Sequence, residues 1–276
     1  MDLATVIGLL AAVGSLLISV VVEGGSLRSL VNLSGLIVVF GGTIGATMVS
    51  FALKDLSAVG DLFRLVFSPP KTDPQKTLRL LVSFAETARR EGLLSLEERI
   101  QGLDNKFLEK GIRLIVDGTD PDLIRNMLET ELMLTEERHK ARASIFEAAG
   151  GFAPTMGIIG TVMGLVHALG ALQDVNNLGK SIAVAFTATL YGVSSANILW
   201  LPLANKLKAI SKAELVEGEM MLEGMLSILH GENPRIIEEK LKVFLEPGTR
   251  RQLELAPREA GTEERVYARR ETSARA

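Results

Sequence analysis

Two prolines and a set of threonines stand in parts of this chain where no charge is allowed near them. Pro154, Thr155 and Thr161 lie in the charge-free stretch from Ala148 to Gln173, and Thr187, Thr189 and Pro202 lie in the charge-free stretch from Ser181 to Asn205. A proline inside a helix removes an amide donor, frees a backbone carbonyl and permits a bend. A threonine offers an oxygen to a hydrated ion without the cost of burying a charge. Each of these residues alone is also ordinary helix geometry; paired across neighbouring helices, they read as the moving wall of a pore. The missing chemistry is equally informative. Neither stretch holds an Asp, Glu, Lys or Arg, and a proton or sodium path through lipid needs a group to hold the ion, usually a carboxylate. The chain therefore either conducts nothing or shares the path with a partner that brings the acid.

Little else in the sequence could do chemistry. There is no G-x-x-x-x-G-K phosphate loop and no H-E-x-x-H, and His139, His167 and His230 are far apart. His167, near the outer end of its stretch, reads as an interfacial or packing residue rather than a proton relay. The absence of cysteine excludes disulfides, thiol catalysis and zinc sites of the Cys type. An enzyme, a metal site and a bound cofactor are accordingly not expected. With a net charge of −3 and a pI near 5.8, the chain has no positive excess to neutralise phosphates, so nucleic acid is a poor partner.

These residues must be positioned by membrane helices. Besides the two stretches above, Leu3 to Val22 and Val31 to Leu53 also lack charge. At about 1.5 Å per helical residue, each of the four windows is long enough to cross a hydrocarbon core of roughly 30 Å. The first is a retained helix rather than a secretory signal, since only Met1 and Asp2 precede it and no basic segment does. Short connections, Glu23 to Leu30 and Asp174 to Lys180, make two hairpins. Lys54, Arg64, Arg138, Lys140, Arg142, Lys206, Lys208 and Lys212 cluster at the other ends of the windows, where the positive-inside bias places the cytoplasm. Both termini and the large loop are expected there. Gly41 with Gly45, Gly150, Gly151, Gly157, Gly160 and Gly164, and Gly192 give the windows small faces that suit close packing, within a subunit or between copies.

The remainder reads as helical, because apolar residues recur at three- and four-residue spacing with no sustained alternation. Pro74 opens a helix with Leu78, Leu81, Val82 and Ala85 on one face, ending near Gly92. Ser95-Leu96-Glu97-Glu98 reads as a capping box. Asp120-Pro121 starts a long helix that runs into the third window, and the fourth window continues to a stop at Gly231. Asn233-Pro234 caps a last helix to about Phe244, and the Arg- and Glu-rich remainder reads as disordered. The fold class is an all-α integral membrane protein, four transmembrane helices with a helical cytoplasmic domain. Residues 1–53 form helices 1 and 2, 54–147 a cytoplasmic lobe, 148–205 helices 3 and 4, 206–245 a cytoplasmic extension and 246–276 a disordered tail.

Four segments, in order and in the expected topological places, carry a family resemblance: Arg89-Arg90-Glu91-Gly92-Leu93-Leu94-Ser95-Leu96-Glu97, Ala153-Pro154-Thr155-Met156-Gly157-Ile158-Ile159-Gly160-Thr161-Val162-Met163-Gly164-Leu165, Ala183-Val184-Ala185-Phe186-Thr187-Ala188-Thr189-Leu190-Tyr191-Gly192, and Pro202-Leu203-Ala204-Asn205-Lys206-Leu207. Through them the chain resembles the MotA/PomA proteins, the stator subunits of the bacterial flagellar motor, over nearly its whole length to about Leu245.

The resemblance implies a multi-pass subunit of the bacterial inner membrane that forms a homo-oligomeric ring, understood as a pentamer. The ring surrounds a MotB-type partner that carries the ion-binding aspartate. Ion passage then turns the ring, and the cytoplasmic lobe works on FliG of the rotor. It implies that Arg89, Arg90 and Glu97 are the charged torque residues, which their types alone would not distinguish from a solvated face. It further implies that Pro154 and Pro202 couple ion movement to conformational change and that Thr189 is the pore threonine. Sodium-driven members resemble one another in having two adjacent threonines where this chain has Ala188-Thr189, which makes the proton the expected ion. The alternatives are an ExbB/TolQ-type energising subunit, which resembles a three-span layout, and a non-conducting membrane scaffold.

Overall fold

The computed structural model describes residues 2–70, 72–100, 102–103, 105–170 and 175–255. Every regular element among them is helical. Four helices are long and apolar enough to cross a membrane: Leu3–Val22, Leu27–Ser50, Pro121–Gly170 and Leu178–Leu229.

The chain divides into two compact units. The first comprises Met1–Thr72 and Met127–Val216. Helix α1 is Leu3–Val22, capped by the Asp2 carboxylate, which accepts the Ala4 amide at 3.2 Å. The second span starts at α2, Leu33–Leu36, where Asn32 caps by accepting the Gly35 amide at 3.2 Å; it widens into a π-helical turn, Ile37–Gly41, and resumes as α3, Gly42–Ser50. Two short helices follow, α4 at Leu53–Ser57 and the amphipathic α5 at Val59–Phe67. The spacing of Leu62 and Val66 puts both on the buried face of α5. They pack with Ala143, Phe146, Leu203, Ala204 and Leu207. Phe63 meets Phe146 edge to face with centroids 5.3 Å apart, and Trp200 lies 6.4 Å beyond.

The second unit comprises Asp73–Asn126 and Glu217–Ala276. Helix α6, Pro74–Glu91, begins as the sequence predicts: Asp73 accepts the Lys76 amide at 3.0 Å, and proline fits the first turn because its missing N–H has no partner to lose. Gly92 ends it at φ +85°, a conformation that L side chains avoid. Helix α7 is Leu96–Ile100, and α8 is Lys106–Val116, capped by Asn105. Leu78, Leu81, Phe84, Leu96, Ile100, Leu108, Ile112 and Ile115 are all buried. Helix α6 packs on α12, Pro234–Lys242, which Asn233 caps.

Two helices contribute to both units. Helix α9 is Pro121–Gly170, 50 residues without a break, started by the Asp120 carboxylate on the Asp122 and Leu123 amides. The fourth span runs from α10, Val175–Ser195, through a π-helical turn, Ala196–Trp200, into α11, Leu201–Leu229. Gly231 stops it at φ +66°, where the Glu232 amide closes back on the Ser227 carbonyl at 3.1 Å.

Three expectations are corrected. Ser95 does not cap α7: it belongs to a 3₁₀ turn, Leu93–Ser95, that leads straight into the helix, and its hydroxyl donates to the Gly92 carbonyl at 2.6 Å. The second hairpin connection is shorter than Asp174 to Lys180, since α10 is already formed from Val175. The beginning of the disordered tail is helical, as α13, Pro247–Leu255, because proline again suits a first turn and the Arg250 amide closes on the Glu246 carbonyl at 2.9 Å. The rest of that tail, residues 256–276, lies outside the described residues.

The packing of the second unit is directly testable. Leu81 is 0% exposed and its methyls define the space at Gly224, so Leu81→Ala leaves a cavity and is expected to cost roughly 2–5 kcal/mol. Leu94→Ala, at 73% exposure, is the matched control. Thermal unfolding of the two purified variants should separate them clearly; equal midpoints would contradict this packing.

Candidate ion-path helix pair

The third and fourth spans cross in antiparallel fashion at backbone distance. A Cβ added to Gly164 would lie 2.8 Å from the Ala185 methyl, one on Gly160 2.7 Å from the Ala188 methyl, and one on Gly157 3.2 Å from the Cα of Gly192. Ascending on one helix pairs with descending on the other. At Gly192 the constraint is hardest, because a methyl there would come within 2.5 Å of the Ala153 carbonyl oxygen and 3.0 Å of the Gly157 Cα. Glycine is required at these points for space, not for backbone conformation. The Gly160-x-x-x-Gly164 face is thus used inside the subunit, whereas Gly41 and Gly45 border open space.

Close approach brings threonines of the two helices together. Thr161 Oγ1 lies 3.0 Å from the Gly157 carbonyl of its own helix and 3.1 Å from the Ala185 carbonyl of α10, and it is hydrogen-bonded to the Thr189 hydroxyl. A hydroxyl has one proton and two lone pairs. With the Thr161 proton directed to a carbonyl, Thr189 must donate to Thr161, which leaves the Thr189 oxygen lone pairs for water. The pair is half-buried rather than sealed.

The other expected residues separate into distinct places. Ala188 is buried against Gly160, so its methyl fills the helix contact. Thr187 donates to the Ala183 carbonyl at 2.6 Å, and Thr155 is exposed with its hydroxyl on the Phe152 carbonyl at 2.7 Å. Neither joins the Thr161–Thr189 contact. Pro154 is half-buried within unbroken α9, and Pro202 is exposed just after the π-helical turn, where the Leu201 amide bonds to the Ala196 carbonyl. The widened turn accommodates the missing donor of Pro202, a feature the sequence did not announce. Arg89 and Arg90 end α6, and Glu97 stands in the first turn of α7; all three are exposed, and no ion pair joins them to another described residue. Basic groups at a helix C-terminus and an acid at an N-terminus both suit the helix dipole.

Two anchors had no sequence signal. The Tyr191 hydroxyl donates to the Leu30 carbonyl and accepts the Asn32 amide at 2.9 Å, while the Asn32 side chain donates to the Val184 carbonyl at 3.3 Å. The loop before α2 is thereby fixed to α10. His139, isolated in sequence, lies with Nδ1 3.0 Å from Ser211 Oγ and 3.9 Å from Glu214. Among the described residues no cluster of three or more His, Asp or Glu could hold a metal ion.

The glycine constraint yields a prediction. Gly192→Ala should separate α9 from α10 and lower the thermal unfolding midpoint of the purified subunit, whereas Gly8→Ala, where a Cβ meets nothing, should not. Equal midpoints would sink the close-approach argument.

Comparisons with known proteins agree with this geometry. Residues 99–220 match the MotA/TolQ/ExbB proton channel family, and residues 6–92 match the motility protein A N-terminal family. The chain is 40% identical to motility protein A of Bacillus subtilis over 249 residues, covering 89% of this chain and 91% of that protein. It is 35% identical to chemotaxis protein PomA of Vibrio alginolyticus, covering 91% and 98%. Among solved structures it is similar to a chain of C. jejuni MotAB, with TM-score 0.86, 33% identity and coverage of 90% and 97%. It is also similar to a chain of the flagellar MotAB stator complex from Bacillus subtilis, with TM-score 0.85, 38% identity and coverage of 92% and 100%. The ExbB/TolQ-type alternative is not favoured, because named relatives of the motility type extend over both halves of the chain. The chain therefore belongs to the motility protein A family, the stator subunits of the flagellar motor.

Proposed function

We propose that this subunit forms, with a MotB-type partner that contributes the ion-binding aspartate, a proton channel of the bacterial inner membrane that converts ion motive force into torque. The observation that carries the reading is a hydroxyl pair, Thr161 with Thr189, in spans that contain no ionisable carboxylate. Hydroxyls can order water but cannot hold a proton at neutral pH, so the acid must come from elsewhere. Two similar structures are of MotAB assemblies, which supports a partner of that kind. Five copies of the subunit surround the partner's helices, with both termini, residues 54–147 and residues 206–245 in the cytoplasm and residues 1–53 and 148–205 in lipid. Pro154 and Pro202 carry the conformational response to the ion. Arg89, Arg90 and Glu97 meet the FliG rotor protein by complementary charge. The subunit itself uses no cofactor and catalyses no covalent reaction.

The oxygen count supports proton coupling. Sodium sheds water only where several oxygens replace it. Ala188 supplies none, and the Gly157 and Ala185 carbonyls near Thr161 lie inside helices, where they already accept backbone amides. With this subunit and its partner as sole stator, motor speed at fixed proton motive force is expected to be indifferent to external sodium. A speed that rises steeply with sodium and vanishes without it would refute the proton assignment.

The charge reading is tested on the rotor side. Arg90→Glu should impair swimming without changing the amount of subunit in the membrane, and a matching charge reversal on the rotor should restore part of it. Single neutralisations are expected to be mild, since exposed pairs contribute roughly 0–1 kcal/mol. Loss of the variant from the membrane would assign Arg90 a folding role instead.

A further inference from the structure

Asp2 and Lys206 are joined by an ion pair between the start of the chain and the turn of α11 that follows Pro202. Three observations make this more than a surface contact. The Asp2 carboxylate is already committed to α1: one oxygen accepts the Ala4 amide at 3.2 Å and the other accepts the Thr5 hydroxyl at 3.0 Å. The Asp2 amide in turn donates to the carbonyl of Phe67, the last residue of α5, at 2.9 Å. Helix α1 also packs against the π-helical turn Ala196–Trp200 and against α5. The Asp2 side chain is 17% exposed and that of Lys206 34%, so the pair is partly shielded from bulk solvent rather than free on the surface.

The position along α11 gives the contact its meaning. Lys206 is four residues after Pro202, hence on the same face one turn on. The helix is weakest at Pro202 and the widened turn before it, where regular backbone hydrogen bonding is interrupted. Leu203, Ala204 and Leu207 hold the flanking faces against Phe146 and α5. The exposed proline lies outside that packed cluster, and the ion pair that follows it on its own face is the one at Lys206. The Asp2 carboxyl is held below the usual carboxylate range, first by the Lys206 hydrogen bond and then by Thr5.

We propose that Asp2 and Lys206 are positioning residues for the Pro202 bend: their ion pair clasps α1 and α5 to α11, so that movement at the bend is passed on along α11 instead of being lost as local slack. The inference rests on the reading that Pro202 transmits the response to the ion. Asp2 and Lys206 touch neither the ion path nor the rotor-facing charges.

The test uses cells whose only stators are this subunit with its partner. It reads speed increments per stator at high load, and counts fluorescent stators at the motor separately. Asp2→Asn keeps the helix cap, because asparagine caps as well as aspartate, and removes only the charge. It and Lys206→Asp are expected to lower the increment roughly twofold or more at unchanged stator number, whereas Lys206→Arg should match the parent. Exchange of the pair, Asp2→Lys with Lys206→Asp, should recover part of the loss. A merely structural role would change the number of stators and leave the increment of each intact. Should a single reversal empty the motor of stators, the exchange must refill it. Asp2→Asn indistinguishable from the parent, or an exchange no better than either reversal, overturns the clasp. Pro202→Leu in the same cells separates the two ideas. If it rotates normally, the premise about the bend falls; if it stalls while the exchange fails to rescue, the clasp alone falls.

Discussion

At the crossing of α9 and α10, a methyl on Gly192 would lie 2.5 Å from the Ala153 carbonyl and one on Gly157 3.0 Å from the Ala188 carbonyl, so the helices meet backbone to backbone. In lipid there is no hydrophobic gain from bringing two apolar helices together, and small residues that admit dispersion and short polar contacts supply the attraction instead. Everything polar in this part of the chain depends on that approach. A threonine hydroxyl reaches about one side chain's length, so Thr161 can touch both the Ala185 carbonyl and Thr189 only because nothing bulkier than alanine intervenes. The Tyr191 and Asn32 anchors then fix the loop before α2 relative to α10. The contact is also weakly held, since hydrogen bonds of this kind in membranes are each worth only about 0.6–2 kcal/mol. Bonds of that order can break and re-form readily.

The same span contains a deliberate irregularity. The π-helical turn Ala196–Trp200 precedes Pro202, and a second one, Ile37–Gly41, interrupts the second span. A proline alone would strand a carbonyl in a medium with no water to satisfy it. Widening the turn redistributes the hydrogen bonding over five residues, so the defect is spread rather than concentrated. Trp200 closes the turn and lies against Phe146, tying the irregular backbone to the aromatic packing beneath it. The irregular turn is therefore supported across the helix by aromatic packing.

Sequence reasoning read the elements well where caps and breakers are local. Asp73-Pro74, Asp120-Pro121 and Asn233-Pro234 start helices where expected, and Gly92 and Gly231 end them, because each signal acts within one turn of backbone. Ser95 misled for the same local reason: its residue type suits a cap, but a 3₁₀ turn already delivers the chain into α7. Contacts that join distant segments were not legible. Asp2 with Lys206, Tyr191 with Leu30 and His139 with Ser211 are separated by dozens to hundreds of residues, and no residue type announces its partner at that range. The prolines and threonines stood out because an apolar background makes any exception visible. Arg89, Arg90 and Glu97 had no such background, and only family resemblance raised them above other surface charges.

That contrast bears on how the two kinds of site can work. Inside the spans, a few weak polar contacts suffice because competing water is scarce. At Arg89, Arg90 and Glu97 the side chains are exposed, and ions screen them over about 8 Å at physiological salt. Pairs of this kind supply little affinity, roughly 0–1 kcal/mol each. They can still bias encounter and register between two surfaces that meet and part repeatedly. Tight binding would be a disadvantage to a stator, since every contact made must be broken within one stroke. Weak, screened charges at the end of α6 and the start of α7 would suit repeated engagement with a rotor, and the energy of a stroke would then have to come from the ion path, not from the strength of that contact.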